Sequence, residues 1–212
     1  MIFQDSHHKK GEKMVTKKSY IALLVCSFFC ATYAQDKNDI FTTTKPITEK
    51  AALHTDSLEP KIDITNKNRE EIAKTLNVIL ADLKILYVKA QNFHWNVVAS
   101  NFAELHTFFG KIYDELSEKI DAVAERVRAL GFRADGTMKE FLAKTRLKEE
   151  ATVPAAKEMI RILLDDYEAI IRSLRFDVEK SADLGDMGTN TLLADMMLKM
   201  EKTAWMLRSF LQ

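Results

Sequence analysis

Residues 92–131 read NFHWNVVASNFAELHTFFGKIYDELSEKIDAVAERVRALG. From Leu105 onward, the apolar positions Leu105, Phe108, Phe109, Ile112, Leu116, Ile120, Val123, Val127 and Leu130 recur every three or four residues. That is the period of one buried helix face. No Pro interrupts the run, and Gly131 stands where a helix C-terminus favours glycine. The stretch therefore predicts a long amphipathic helix ending at Leu130, with Ser100 or Asn101 as its N-cap. Residues 97–101 are a short connection to another run on its N-terminal side.

Working outward, the same period recurs three times. Ile72, Leu76, Ile79, Leu80, Leu83 and Tyr87 place a helix over about residues 68–96. Thr152 and Pro154 mark the start of a third helix, as an N-cap followed by Pro in the first turn. Its buried face is Ile160, Leu163, Leu164, Tyr167, Ile170, Ile171 and Leu174. Residues 183–188 break it. A fourth runs from Thr189 to the C-terminus through Leu192, Leu193, Met196, Met200, Ala204, Leu207 and Leu211. A short helix is expected at 138–144, inside the long connection 131–152. Four helices of ~25–30 residues, each ~40 Å long, make an all-α four-helix bundle with a short extra helix in the helix 2–3 crossover.

Composition agrees with this reading. The chain has 212 residues, with only six Gly and three Pro. That is too few for a fold rich in strands and turns. Lys+Arg and Asp+Glu each number 31, so the formal net charge is zero. A neutral chain is a poor non-specific nucleic-acid binder, because that affinity comes from basic side chains.

The N-terminus has a different character. Lys17 and Lys18 precede the apolar run 20–31, and Ala34 supplies a small residue before Gln35. A basic start, a short apolar core and a small-residue end predict a secretory signal peptide over 1–34. The run is too short to span a bilayer, which takes ~20 residues. Met14 gives a signal of more normal proportions than Met1. Both cysteines, Cys26 and Cys30, fall inside this segment, so residues 35–212 have no thiol or disulfide chemistry. Residues 1–34 hold five Lys and two acids, leaving 26 basic and 29 acidic residues, or −3, in 35–212. Export to the periplasm is expected; without a functional signal the chain would be cytoplasmic. Residues 35–65 are Thr-, Lys- and Asp-rich with Pro46 and Pro60, and read as a flexible arm before the domain at 66–212. The arm is not basic, so it is not a DNA-binding tail.

The domain contains two histidines, His94 and His106. One closes the first long helix and the other opens the second, so they flank one connection. Imidazole with carboxylate suits iron or a similar transition metal. Asp121 and Glu125 stand at i, i+4 and project from one helix face. His106 and Asp121 are fifteen residues apart, ~22 Å along the axis. One chain cannot bring them to the same metal. Two copies of the helix packed antiparallel across a two-fold axis can, so a metal site built from these residues requires a homo-oligomer.

The segments 92–97, 101–106 and 120–131, with their His-Trp pair, twelve-residue His–His spacing and Asp-x-x-x-Glu-Arg, resemble the Dps family of mini-ferritins. The resemblance covers roughly residues 70–212. It implies a ferritin-like four-helix bundle assembled as a hollow shell of twelve subunits. It also implies oxidation of Fe(II), preferably by hydrogen peroxide, and storage of Fe(III) within. His94 and His106 would serve one subunit's half of each ferroxidase site, and Asp121 and Glu125 the other subunit's half. Trp95 sits where the family has a tryptophan beside the site. Asp183 and Asp186 resemble the acidic stretch lining the family's iron-entry pores.

Two departures stand out. The family usually carries a carboxylate four residues after the second histidine, where this chain has Gly110. It usually has Gly in the inter-helix turn, where this chain has Ala99. Asp114 and Glu118 are the nearby carboxylates on the same helix that could supply an oxygen in compensation. Met196, Met197, Met200 and Met206 read as core packing rather than a metal box. Glu-x-x-His, the signature of a di-iron centre within one bundle, is absent. The function expected is iron oxidation and storage that protects against oxidative damage. The competing readings are a shell of the same shape with an impaired site, and DNA protection, which the charge and the signal argue against.

Overall fold

The computed structural model of the chain describes residues 59–212, so the expected signal peptide and most of the arm lie outside the described residues. The helices are α1 (Asn66–Asn96), α2 (Phe102–Ala129), α3 (Met138–Lys144), α4 (Ala156–Asp183) and α5 (Met187–Ser209). Among the described residues there is no strand. α1 pairs with α2 and α4 with α5, and α1 joins the two hairpins by packing on α4. The periodic positions read from the sequence close one core, with Leu76, Leu83, Phe109, Leu116, Leu163, Leu174, Leu193 and Leu207 buried. Met196 and Met200 are buried in it, and Met197 and Met206 pack against it.

Helix ends follow local chemistry. The Thr65 side chain accepts from Asn68 N–H at 3.2 Å and starts α1. Asn101 is the N-cap of α2, without a side-chain bond. Both α2 and α4 end with a left-handed glycine, Gly131 at φ 88° and Gly185 at φ 80°. Gly131 N–H bonds Arg128 O and Phe132 N–H bonds Val127 O, while Gly185 N–H bonds Ala182 O and Asp186 N–H bonds Ser181 O. This paired pattern satisfies the last carbonyls of each helix. α3 starts with a capping box between Thr137 and Glu140.

Four boundaries differ from the sequence reading. α4 begins at Ala156 after the N-cap Ala155, not at Thr152. The Thr152 hydroxyl and N–H both bond the Glu150 carboxylate, and Pro154 holds the preceding residue extended. α5 begins at Met187, two residues early, because Asp186 caps it. It stops at Ser209, so Leu211 packs from beyond the helix. Residues 59–65, assigned to the arm, lie against the bundle: Arg69 Nε donates to Ile64 O at 3.2 Å, and Asn66 Nδ2 to Glu59 at 2.9 Å.

Buried polar groups of α1 fix the crossover. Arg69 Nη1 donates to Leu130 O at 2.9 Å. Asn77 accepts from Asp135 N–H at 2.9 Å and donates to Arg133 O at 3.3 Å. Asp82, fully buried, accepts from Thr145 Oγ1 at 2.9 Å, Arg146 N at 2.7 Å and Arg146 Nε at 2.7 Å. Lys89 forms a buried ion pair with Asp166 of α4. Desolvation pushes the Asp166 carboxyl up, against the opposing pull of Lys89.

Candidate metal centre

His94 lies in the last turn of α1 and His106 in the first turns of α2. The five-residue connection folds α2 back so that the two imidazoles stack, centroids 3.8 Å apart and planes at 22°. Each ring bonds the other residue's backbone. His94 Nδ1 lies 2.6 Å from His106 O, and His106 Nδ1 lies 2.9 Å from His94 O. A carbonyl only accepts, so each Nδ1 must carry the donated proton. In the neutral form, the free lone pair of each ring is then on Nε2. A hydrogen bond from the remote nitrogen is the usual way to orient a metal-binding imidazole and raise its basicity.

The pair sits in an aromatic frame. Phe102 stacks on the outer face of His106 at 5.0 Å. Tyr113 meets His94 edge-on at 5.2 Å, and Tyr87 backs Tyr113 at 5.9 Å. Gly110 is buried beneath His94: a Cβ at that position would lie 3.3 Å from His94 Cε1 and Nδ1. Both histidines are half-buried. Trp95, Val98 and Phe102 at the same end of the bundle are exposed, Trp95 by 66%.

The other candidates lie apart from this pair or are otherwise engaged. Asp121, Glu125, Asp114 and Glu118 are exposed along α2. Among the described residues, no three His, Cys, Asp or Glu side chains of one chain gather to hold a metal. The structure thus joins the two histidines and leaves the carboxylates of α2 on the outer surface. Asp183 is exposed. Asp186, grouped with it as pore-lining, is instead 1% exposed and internally committed. It accepts from Thr189 N at 2.8 Å and Thr189 Oγ1 at 2.5 Å, and pairs with Arg126 Nη2 at 2.6 Å. An N-cap position favours this, since the first N–H groups of α5 need an acceptor.

Sequence reasoning missed the reciprocal backbone bonds and the aromatic frame. Phe102 and Tyr113, at i−4 and i+7 from His106, lie on its face of the helix, and that spacing was the available signal.

A bundle with a long crossover carrying a short helix, and a histidine pair across its first hairpin, defines a ferritin-like protein. The family model of that domain, the ferritin-like domain, matches residues 73–212. A low temperature-induced protein of a Nostoc species is 43% identical over 157 residues, covering 72% of this chain and 88% of the relative. The DNA protection during starvation protein 2 of Bacillus anthracis is 36% identical, covering 67% of this chain and 97% of the relative. Among solved structures, Dps from Staphylococcus aureus superposes with a TM-score of 0.66 at 33% identity, covering 68% of this chain and 96% of that one. The Dps protein of Vibrio cholerae, described as a member of the ferritin-like diiron-carboxylate superfamily, gives 0.70 at 28% identity, covering 74% and 99%. The chain belongs to the Dps family of ferritin-like proteins.

Proposed function

We propose that the protein is a ferroxidase and iron-storage mini-ferritin that oxidises Fe(II) with hydrogen peroxide and sequesters Fe(III) in a homo-oligomeric shell, twelve subunits in the family's pattern. The observation that carries this reading is the reciprocally bonded, stacked histidine pair, whose backbone bonds use both Nδ1 atoms and leave the Nε2 of each ring as its ligand nitrogen. Asp121 and Glu125 of a second subunit, packed antiparallel across a two-fold axis, complete the site. Burial of the exposed Trp95, Val98 and Phe102 favours that association.

In this reading iron is the substrate. Two Fe(II) each give one electron to one peroxide. The O–O bond breaks, two protons are taken up, and two waters leave with two Fe(III). Pairing the electrons avoids the hydroxyl radical that a single transfer would release. The histidines hold the incoming cation, and the carboxylates offset its rising charge, which favours Fe(III). Iron protected in this way suppresses oxidative damage. Relatives are named for DNA protection, but the zero net charge here argues against DNA as a ligand. If residues 1–34 act as the secretory signal their pattern suggests, this work takes place in the periplasm.

A second reading rests on Gly110, which offers no donor where the family has a carboxylate: a shell of the same shape with an impaired site. Anaerobic Fe(II) oxidation by added peroxide, followed by ferric absorbance, separates the two. The purified protein is expected to oxidise iron well above buffer and His94→Ala/His106→Ala to lose the excess. Oxidation no faster than buffer leaves the impaired shell.

A further inference from the structure

Gly110 follows His106 by four residues, so it occupies the same helix face one turn on. The His94 ring rests on its bare backbone, with only 3.3 Å to where a Cβ would be. A side chain at 110 would therefore begin against the ring that carries the free Nε2. The rings' other close neighbours are Phe102 and Tyr113. Within one subunit, no His, Cys, Asp or Glu among the described residues joins the two imidazoles as a third ligand.

We propose that Gly110 is a specificity-determining position: by withholding an oxygen donor beside the histidine pair, it tilts the site toward imidazole-seeking ions such as Zn(II) and away from carboxylate-seeking ions such as Mn(II). The inference rests on the reading above that His94 and His106 bind a divalent cation. Its chemical basis is donor preference. Imidazole suits zinc, copper, nickel and iron, whereas carboxylate suits manganese and magnesium. Losing one carboxylate costs the oxygen-preferring ion more than the nitrogen-preferring one. The shell would then take up zinc in competition with its iron substrate.

The test is the ratio of Zn(II) to Mn(II) dissociation constants at fixed neutral pH. Zn(II) is read by chelator competition and free Mn(II) by paramagnetic resonance, on the full purified protein without iron or oxidant. Gly110→Asp is expected to shift the ratio toward Mn(II) by at least ~10-fold, the scale on which changes around a bound metal act. Gly110→Ala, with the same Cβ but no oxygen, leaves the ratio where it is. Gly110→Ser offers an oxygen on a smaller side chain and shifts it in the same direction by less, which keeps the question open to measurement if the aspartate variant does not fold. An unchanged ratio in folded Gly110→Asp or Gly110→Ser overturns the inference, as does an equal shift in Gly110→Ala. If His94→Ala/His106→Ala binds Zn(II) as tightly as the parent, the site itself is refuted and the inference falls with it. That outcome is distinguishable because it shows in the histidine variant.

Discussion

Removing the Asp82 carboxylate should loosen the Thr145–Arg146 part of the crossover from α1. Asp82 is fully buried and accepts three hydrogen bonds, one from Thr145 Oγ1 and two from Arg146, whose Nη2 adds an ion-pair contact at 2.6 Å. Asp82→Ala leaves these donors without an acceptor and opens a small void. Breaking a buried ion pair costs about 3–5 kcal/mol when the orphaned charge stays buried. The Arg146 side chain is 40% exposed and can turn to water, so the lower end applies, about 3 kcal/mol. For a domain of this size that corresponds to a fall in Tm of roughly 6–12 °C. Thermal or urea unfolding at one fixed protein concentration measures it, since association also adds stability by mass action. Asp82→Asn keeps an oxygen for Thr145 and the Arg146 N–H and should lose about half as much. Arg146→Ala added to Asp82→Ala should cost little more, because the two residues act as one unit. A loss below about 1 kcal/mol in Asp82→Ala would refute the reasoning and show that the crossover is anchored elsewhere.

Gly131→Ala should destabilise by about 1–3 kcal/mol, since the residue holds φ 88° and its Cβ would come 2.9 Å from Pro60 Cδ; an unchanged urea midpoint would contradict this. The Arg133 guanidinium, joined by the N–H groups of Gly136 and Thr137, holds the Glu140 carboxyl at about 2, from an ordinary 4.5. A lowered folded value gives stability that is complete above pH 4.5 and is lost as pH falls toward 2. After solvent screening this amounts to about 1 kcal/mol. Unfolding measured across that window should show it in the parent and not in Glu140→Gln.

Long periodic segments were the most legible part of the chain. α1 and α2 were readable because Ile72 to Tyr87 and Leu105 to Leu130 each repeat one apolar face without interruption. α3 was placed at Met138–Lys144, where Thr137 and Glu140 form its capping box. The start of α4 differs because the Thr152 hydroxyl can either accept from helix N–H groups or donate to Glu150, and the local bond to Glu150 wins. The role of Asp186 was obscured by composition. An acid near a helix start reads equally as a pore residue or a cap, and only burial against Arg126 distinguishes them. The buried polar residues Arg69, Asn77, Asp82 and Lys89 likewise show no pattern in sequence, since their partners lie far along the chain. The histidine pair was legible as a juxtaposition across a short connection. Its stacking and tautomer were not, because they depend on how the turn closes.

The reciprocal bonding of His94 and His106 has an evolutionary and experimental consequence. Each backbone carbonyl that orients a ring belongs to the residue carrying the other ring. Replacing one histidine keeps its carbonyl, so the surviving ring loses its stacked partner but keeps the hydrogen bond that orients it. Single replacements should therefore weaken the site less than the double replacement, because one oriented imidazole remains. Because the orienting groups are main chain, a lineage that lost one histidine would still hold the other in its metal-facing tautomer, and the pair could be rebuilt by a single substitution.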